Sequence, residues 1–123
     1  MKICIVGSYK WLDGDIPKAQ DCILGILNGY TDIVDDVTII SGECPKGGVD
    51  IWTSELSRSM GLKFQGYPPK VNRPWAYMER NRLMARDCDV LYRIVSKVST
   101  TYGSGVTADY ARKLGREVRE YVI

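Results

Sequence analysis

The sequence contains no histidine, a single phenylalanine and no pair of cysteines in a C-x-x-C spacing. Without histidine, acid–base catalysis would depend on carboxylates, lysine, tyrosine or cysteine. A zinc site would have to bring all four thiolates together from distant elements. The four cysteines are therefore expected to be reduced and structural, and neither a metal nor a cofactor is expected.

Long apolar runs and a strong charge of either sign are also missing. No run approaches the roughly 20 apolar residues of a membrane-spanning helix, so no association with a membrane is expected. The net charge of +2 is too small to indicate nucleic acid or a membrane surface as a partner. The N-terminal "MKICIVGS" lacks a cleavage site of small residues and predicts a strand rather than a signal peptide, and a cytoplasmic location is expected.

The segments that are present alternate between strand and helix. Helices are expected after Asp13 or Asp15, between Ile51 and Gly61, from Pro74, and over Thr107–Leu114. The segments typical of strands are Lys2–Val6, Val37–Ile40, Leu62–Tyr67, Cys88–Val95 and Glu117–Ile123. This alternation predicts an α/β fold, a three-layer sandwich around a mostly parallel five-stranded sheet. With no internal repeat or linker, residues 1–123 are expected to form one domain.

Three glycine-containing loops follow predicted strands: "GSYKWLDGD", "SGECPKGGVD" and "TTYGSGVTADYA". Ligands bind at the carboxyl ends of strands in open parallel sheets, and such loops present backbone N–H groups and a helix N-terminus to an anion. One glycine turn alone is an ordinary connection, but three at one edge favour an anion site. The second loop is not a Walker A motif, because Gly48 and Val49 stand where lysine and serine or threonine would. Lys46 could meet a phosphate as a point charge.

Four segments together resemble the signature series of the SLOG superfamily: "GSYKW", "SGECPKGGVD", "RNRLMARDCDVLY" and "GSGVTADYARKLGREV". These small Rossmann-like domains are related to the Lonely Guy and DprA proteins, and the nearest match is the YspA-like DUF2493 branch. The resemblance covers nearly the whole chain in the right order. It implies the strand order 3-2-1-4-5, a pocket for a nucleotide or nucleotide-derived molecule, and a homodimer or higher homo-oligomer.

The resemblance and the chemistry of the loops together indicate which residues contact the ligand. Lys10 could replace an arginine that many relatives have at Tyr9. Trp11 is the preferred candidate, among the aromatic residues Tyr9, Tyr67, Trp75 and Tyr102 near these loops, for stacking on a base. From the helix alone, Arg80 and Asn81 could instead tie it to a neighbouring loop. The predicted ligand-binding residues are Gly7, Ser8, Lys10, Trp11, Ser41, Gly42, Lys46, Gly47, Asp50, Arg80, Asn81, Gly103, Ser104, Gly105 and Thr107.

Catalysis is the weaker interpretation. Lonely Guy phosphoribohydrolases carry a glutamate three residues after the threonine of the last motif, and this chain has Tyr110 there. Cleavage of an N-glycosidic bond would need carboxylates near the anomeric carbon. The candidates are Glu43, Asp50, Asp109 and, less plausibly, Glu79, and no pair stands out. Asp50 could instead accept ribose hydroxyls or cap its helix.

The sequence thus favours a protein that binds or senses a nucleotide-like small molecule. The first alternative is an enzyme that hydrolyses or transfers at an N-glycosidic bond of a nucleotide. The second is DprA-like binding of nucleic acid, which the small net charge disfavours because neutralising phosphates needs clustered lysine and arginine.

Overall fold

A computed structural model describes residues 1–99 and 103–123. Its strands form one parallel sheet in the order β3-β2-β1-β4-β5. The strands are β1 (Lys2–Gly7), β2 (Thr38–Ser41), β3 (Lys63–Gly66), β4 (Val90–Val95) and β5 (Glu117–Val122). The predicted α/β class and strand order are confirmed.

Four α-helices connect the strands: α1 (Ile16–Asn28), α2 (Val49–Ser59), α3 (Pro74–Asp87) and α4 (Gly103–Lys113). Short 3-10 helices at Asp13–Asp15 and Thr31–Asp36 flank α1. Proline lies in the first turn of α1 and of α3, where its missing N–H costs no helical hydrogen bond. Within the described residues, no helix combines the length and the apolar character needed to cross a membrane.

The helices cover both faces of the sheet because β1 is apolar on both sides. Ile3 and Ile5 pack with Ile23 of α1 and Val49 of α2 in one buried cluster. Cys4 and Val6 pack in a second cluster that contains Met84 and Ala85 of α3 and Ala108 and Ala111 of α4. Strands buried on both faces are continuous apolar runs rather than alternating ones, as the sequence of β1 is.

The boundaries of several elements differ from the sequence expectation. Val37, Leu62 and Cys88 precede their strands, and the side chain of Asp15 at the start of α1 makes no capping hydrogen bond. The largest difference concerns α4, which begins at Gly103 instead of Thr107. Glycine has a low intrinsic helix propensity, which is why the sequence places these residues in a loop. The stretch from Gly103 to Thr107 is thus the first turn of a helix.

Candidate functional site

A cavity of about 350 Å³ opens at the carboxyl ends of the central strands. This volume lies at the small end of the roughly 300–1,000 Å³ of small-molecule sites. The cavity is bounded by the end of β1, the loop of residues 42–48, helix α3 and the first turn of α4. The predicted residues that line it are Gly7, Lys46, Asp50, Arg80, Asn81, Gly103, Ser104 and Thr107.

Ser8 fixes the end of β1 relative to its neighbours through four hydrogen bonds. Its N–H donates to the carbonyl of Ile94 (3.1 Å), and its carbonyl accepts from the N–H of Val49 (3.1 Å). The same carbonyl accepts from the indole N–H of Trp11 (2.7 Å), and the hydroxyl accepts from the N–H of Ser96 (3.1 Å). Ser8 is 1% exposed and lies outside the cavity lining, so its observed contacts are within the protein.

Gly48 allows the loop of residues 42–48 to approach the end of β1. Its φ of +75° lies in the left-handed region, and a Cβ there would be 2.4 Å from both the Ser8 carbonyl oxygen and the Tyr9 Cα. Only glycine meets both conditions without strain. The backbone of Gly48 therefore packs directly on the loop that follows β1.

Asp50 lies in the first turn of α2 and contacts the loop of residues 42–48. Its Oδ2 accepts a hydrogen bond from the Cys44 N–H (3.1 Å), and its Oδ1 shares the single hydrogen of the Ser41 hydroxyl (3.2 Å) with the Ile5 carbonyl (2.7 Å). Burial raises the pKa of the Asp50 carboxyl, while the Arg80 guanidinium and these two hydrogen bonds partly offset the rise. The carboxylate thus anchors the loop, and α2 has no side-chain cap at its start.

Arg80 connects α3 to two loops by hydrogen bonds. The sequence analysis named this role as an alternative to contact with the ligand. Its Nη1 donates to the carbonyl of Gly42 and, at 3.1 Å, to that of Tyr67. The guanidinium lies 5.2 Å from the ring centroid of Tyr77. Arg80 is only 8% exposed, so its charge balances Asp50 inside the protein.

Asn81 follows Arg80 but has a different environment. It is 6% exposed and lines the cavity. Its Nδ2 lies 3.9 Å from the point that a Cβ on Gly103 would occupy, which places the carboxamide next to the first turn of α4. Within residues 1–99 and 103–123, no hydrogen bond to the Asn81 side chain is found. A buried carboxamide in this state is open to a partner from outside the chain.

Lys46 brings a positive charge to the exposed side of the cavity. Its Nζ lies 5.1 Å from the ring centroid of Tyr9, and the Nζ of Lys10 lies 5.9 Å from the same ring. In the part of the chain that the structure describes, Lys46 forms no ion pair with a carboxylate. Of the two lysines beside Tyr9, only Lys46 lines the cavity.

The structure places Trp11 away from the cavity. Its ring packs against Trp52 at a centroid distance of 5.9 Å, in contact with the cluster on the α1 and α2 face. In this position its indole N–H donates to the Ser8 carbonyl at 2.7 Å. The predicted residues outside the cavity lining are Ser8, Lys10, Trp11, Ser41, Gly42, Gly47 and Gly105.

Three of the carboxylate candidates also lie outside the cavity. Glu43 is 3.9 Å from Arg58, Glu79 is 3.0 Å from Lys70, and Asp109 is 3.0 Å from Arg112 in exposed ion pairs. Asp50 is the one carboxylate in the lining among the described residues. The two facing carboxylates of most glycosidic hydrolysis are therefore not assembled by this part of the chain.

Sequence analysis did not assign six of the lining residues to the ligand site. Tyr77 could have been found, because it lies four residues before Asn81 and so on the same face of α3. Tyr9 and Cys44 lie in loops that were already singled out. Tyr102 lies outside the described residues. The unassigned lining residues are Val6, Tyr9, Cys44, Asn72, Tyr77 and Met84.

No protein-family model and no curated protein matches this sequence. Among solved structures, the chain is similar to DNA processing protein A (DprA) from Streptococcus pneumoniae, with a TM-score of 0.72 and 20% identity. That match covers 97% of this chain and 49% of the DprA chain, so the protein spans about half the length of DprA. A second similar structure is TM1055, a structural genomics target, with a TM-score of 0.72, 18% identity, and coverage of 95% of this chain and 71% of that one.

At these identities the likeness concerns the fold. DprA is one of the proteins to which the sequence motifs pointed, and its structure superimposes on nearly the whole chain. Assignment to the DUF2493 branch stays a prediction. The chain has the Rossmann-like fold of these two structures.

Proposed function

We propose that this protein binds a nucleotide or nucleotide-derived small molecule in the cavity at the carboxyl ends of the strands. The observation that carries the proposal is the composition of the lining. It joins the buried Asn81, whose side chain forms no hydrogen bond within the described residues, to Lys46 and to the rings of Tyr9 and Tyr77. A nucleotide has a matching set of groups, namely an anion, hydroxyls and a flat aromatic base.

The anion would be held on the exposed side of the cavity. Lys46 offers an ammonium group there, and the first turn of α4 adds the backbone N–H groups and positive dipole of a helix N-terminus. Asp50 does not cancel this charge, because Arg80 already balances it. The site therefore favours a ligand with negative charge.

The base would be held by an aromatic side chain. Tyr9 and Tyr77 both line the cavity and are half-buried, which leaves part of each ring accessible. Stacking on a tyrosine ring does not depend on the identity of the base. Base selectivity would have to come from the polar groups of the lining.

Binding or sensing fits the site better than turnover. Asp50 is the one carboxylate in the described lining, and both of its oxygens already accept hydrogen bonds within the protein. A carboxylate used to anchor a loop is poorly placed to act as a nucleophile or as a general acid.

Lys46 and Lys10, which both lie beside the ring of Tyr9, allow a matched test of the proposed binding site. We expect Lys46→Ala to weaken binding of a nucleoside 5′-monophosphate on the order of tenfold, the effect of losing a charged contact, whereas Lys10→Ala leaves binding unchanged. Isothermal titration calorimetry measures both affinities. Native mass spectrometry of protein purified without added ligand, followed by denaturation, identifies any small molecule that is retained.

Three outcomes would contradict the proposal in different ways. Equal losses from the two lysine variants would show attraction by general charge and not binding in the cavity. An empty protein that also binds no nucleotide at millimolar concentration would remove the proposed function. Release of free base or ribose 5-phosphate during the titration would assign an enzyme instead.

A further inference from the structure

Asn81 is an unusual residue to find in its position. A carboxamide offers two donor hydrogens and one acceptor oxygen, and buried carboxamides are normally hydrogen-bonded. Asn81 is 6% exposed, in the middle of α3 and next to the buried Met84 and Ala85. Its carboxamide makes no hydrogen bond within the described residues and is not one of their fully enclosed unpaired polar groups. It therefore opens onto the cavity and points to a partner that enters there.

The surroundings of Asn81 restrict the chemistry of this partner. Asp50 lines the same cavity, and each of its oxygens accepts only one hydrogen bond from the protein, which leaves lone pairs for another donor. Carboxylate oxygens only accept hydrogen bonds, so they match a donor and not a phosphate oxygen, which is itself an acceptor. The partner must therefore donate to the carboxylate, donate to the amide oxygen and accept from the amide N–H groups.

Sugar hydroxyls meet all three requirements, since each one donates and accepts a hydrogen bond. We infer that Asn81 and Asp50 bind the ribose hydroxyls of the ligand, so that the cavity selects ribonucleotides over 2′-deoxyribonucleotides. This inference rests on the proposed function and adds to it the class of sugar. The phosphate then lies toward Lys46 and the base toward Tyr9 or Tyr77.

The wild-type protein is sufficient for the main experiment. Isothermal titration calorimetry compares each of the four ribonucleoside 5′-monophosphates with its 2′-deoxy counterpart. We expect the loss of the 2′-hydroxyl to weaken binding on the order of tenfold to a hundredfold, because it leaves a buried polar group of the protein unpaired.

A variant assigns the effect to Asn81. In Asn81→Leu, which keeps a similar side-chain volume, we expect the preference for ribonucleotides to fall to within about twofold of equality. We also expect its melting temperature to equal or exceed that of the wild type, since the substitution removes no side-chain hydrogen bond within the described residues and places an apolar group beside Met84 and Ala85. A purely structural role for Asn81 predicts the opposite change in stability. Asn28→Leu, on the exposed end of α1, is the matched control and should keep the full preference.

The possible results separate the two proposals. Equal affinity for ribo- and deoxyribonucleotides would overturn the inference and leave the proposed function in place. A preference that survives in Asn81→Leu would overturn it as well, as would selectivity for one base without dependence on the hydroxyl, which would assign Asn81 to a base edge. If no nucleotide binds, the proposed function fails and the inference fails with it.

Discussion

At the scale of single residues, Arg80 and Asp50, the two buried charged groups of the cavity lining, form hydrogen bonds within the protein. Arg80 donates to the carbonyls of Gly42 and Tyr67, and Asp50 accepts from Ser41 and Cys44. The sequence identified both residues as part of the site, and both line the cavity. It could not show that the Arg80 Nη1 and the Asp50 oxygens form hydrogen bonds within the protein, because hydrogen bonds between distant segments leave no local pattern.

The titration of Asp50 gives a prediction about stability. Burial raises its pKa above the ordinary value of about 3.9, so the folded protein holds this proton more tightly than the unfolded chain does. The resulting stabilisation is complete below the ordinary pKa and is lost as the pH rises through the raised pKa. We expect the free energy of unfolding of the wild type, relative to Asp50→Asn, to decrease as the pH rises through the acidic range. Urea denaturation at a series of pH values measures this difference.

Asp87 provides a control of opposite sign. Burial raises its pKa, but hydrogen bonds from Arg86 and Tyr67 outweigh that effect and leave the pKa below its ordinary value. The stabilisation is then present above the ordinary pKa and is lost as the pH falls through the lowered one. Relative to Asp87→Asn, the wild type should therefore gain stability as the pH rises. A flat or increasing difference for Asp50→Asn would contradict the environment assigned to Asp50.

At the scale of elements, the sequence predicted which loops form the site but not which way their side chains point. Trp11 and Tyr9 are two residues apart in the same loop, yet Trp11 packs on Trp52 and Tyr9 lines the cavity. The turn after β1 decides this, and its shape depends on the contact with Gly48. The start of α4 was missed for a related reason, because packing against α3 and β4 outweighs the low helix propensity of its two first-turn glycines.

Two adjacent glycines allow the contact between the loops to be tested. Gly47 and Gly48 both have a positive φ, but a Cβ on Gly47 has no atom within 4 Å, whereas one on Gly48 meets the backbone of Ser8 and Tyr9. We expect Gly47→Ala to cost about 1–2 kcal/mol of unfolding free energy from the left-handed backbone alone. Gly48→Ala should cost about 1–3 kcal/mol more, since the surrounding atoms must also move.

Chemical denaturation in urea measures both losses. Equal losses for the two variants would mean that Gly48 does not pack on the end of β1. Weaker nucleotide binding by Gly48→Ala than by Gly47→Ala would in addition connect this contact with the shape of the cavity.

At the scale of the whole molecule, positive and negative charges are interspersed on the surface. The net charge is only +2, and many of the arginines are paired with carboxylates. Such pairs are Arg58–Glu43, Arg86–Asp87, Arg93–Glu120, Arg112–Asp109 and Arg119–Glu117. This pairing and the small net charge disfavour a nucleic-acid backbone as the partner, because neutralising its phosphates needs clustered free cations.

We therefore expect no measurable binding of a single-stranded DNA oligonucleotide at physiological salt. Fluorescence anisotropy of a labelled oligonucleotide over a range of salt concentrations tests this. Binding that weakens steeply with salt, and that Lys46→Ala leaves unchanged, would show a nucleic-acid surface outside the cavity.

The fold was the part of the molecule most accessible from the sequence. Alternation of apolar strands and amphipathic helices requires parallel crossovers, and the motif series implied the order of the strands. Both depend on patterns that extend over many residues. The cavity also depends on side-chain orientations at the loop tips, which leave no pattern in the sequence, and this is why Asn72 emerged only from the structure.

The four hydrogen bonds of Ser8 affect how much conformational entropy a bound ligand would cost. They join the loop after β1 to the start of α2, to the end of β4 and to the Trp11 indole, and so fix the positions of these segments relative to one another. On the proposed function, a ligand that enters the cavity would find these segments already ordered. Less of the gross interaction energy is then lost as conformational entropy, and a small cavity with few polar contacts can still hold its ligand tightly.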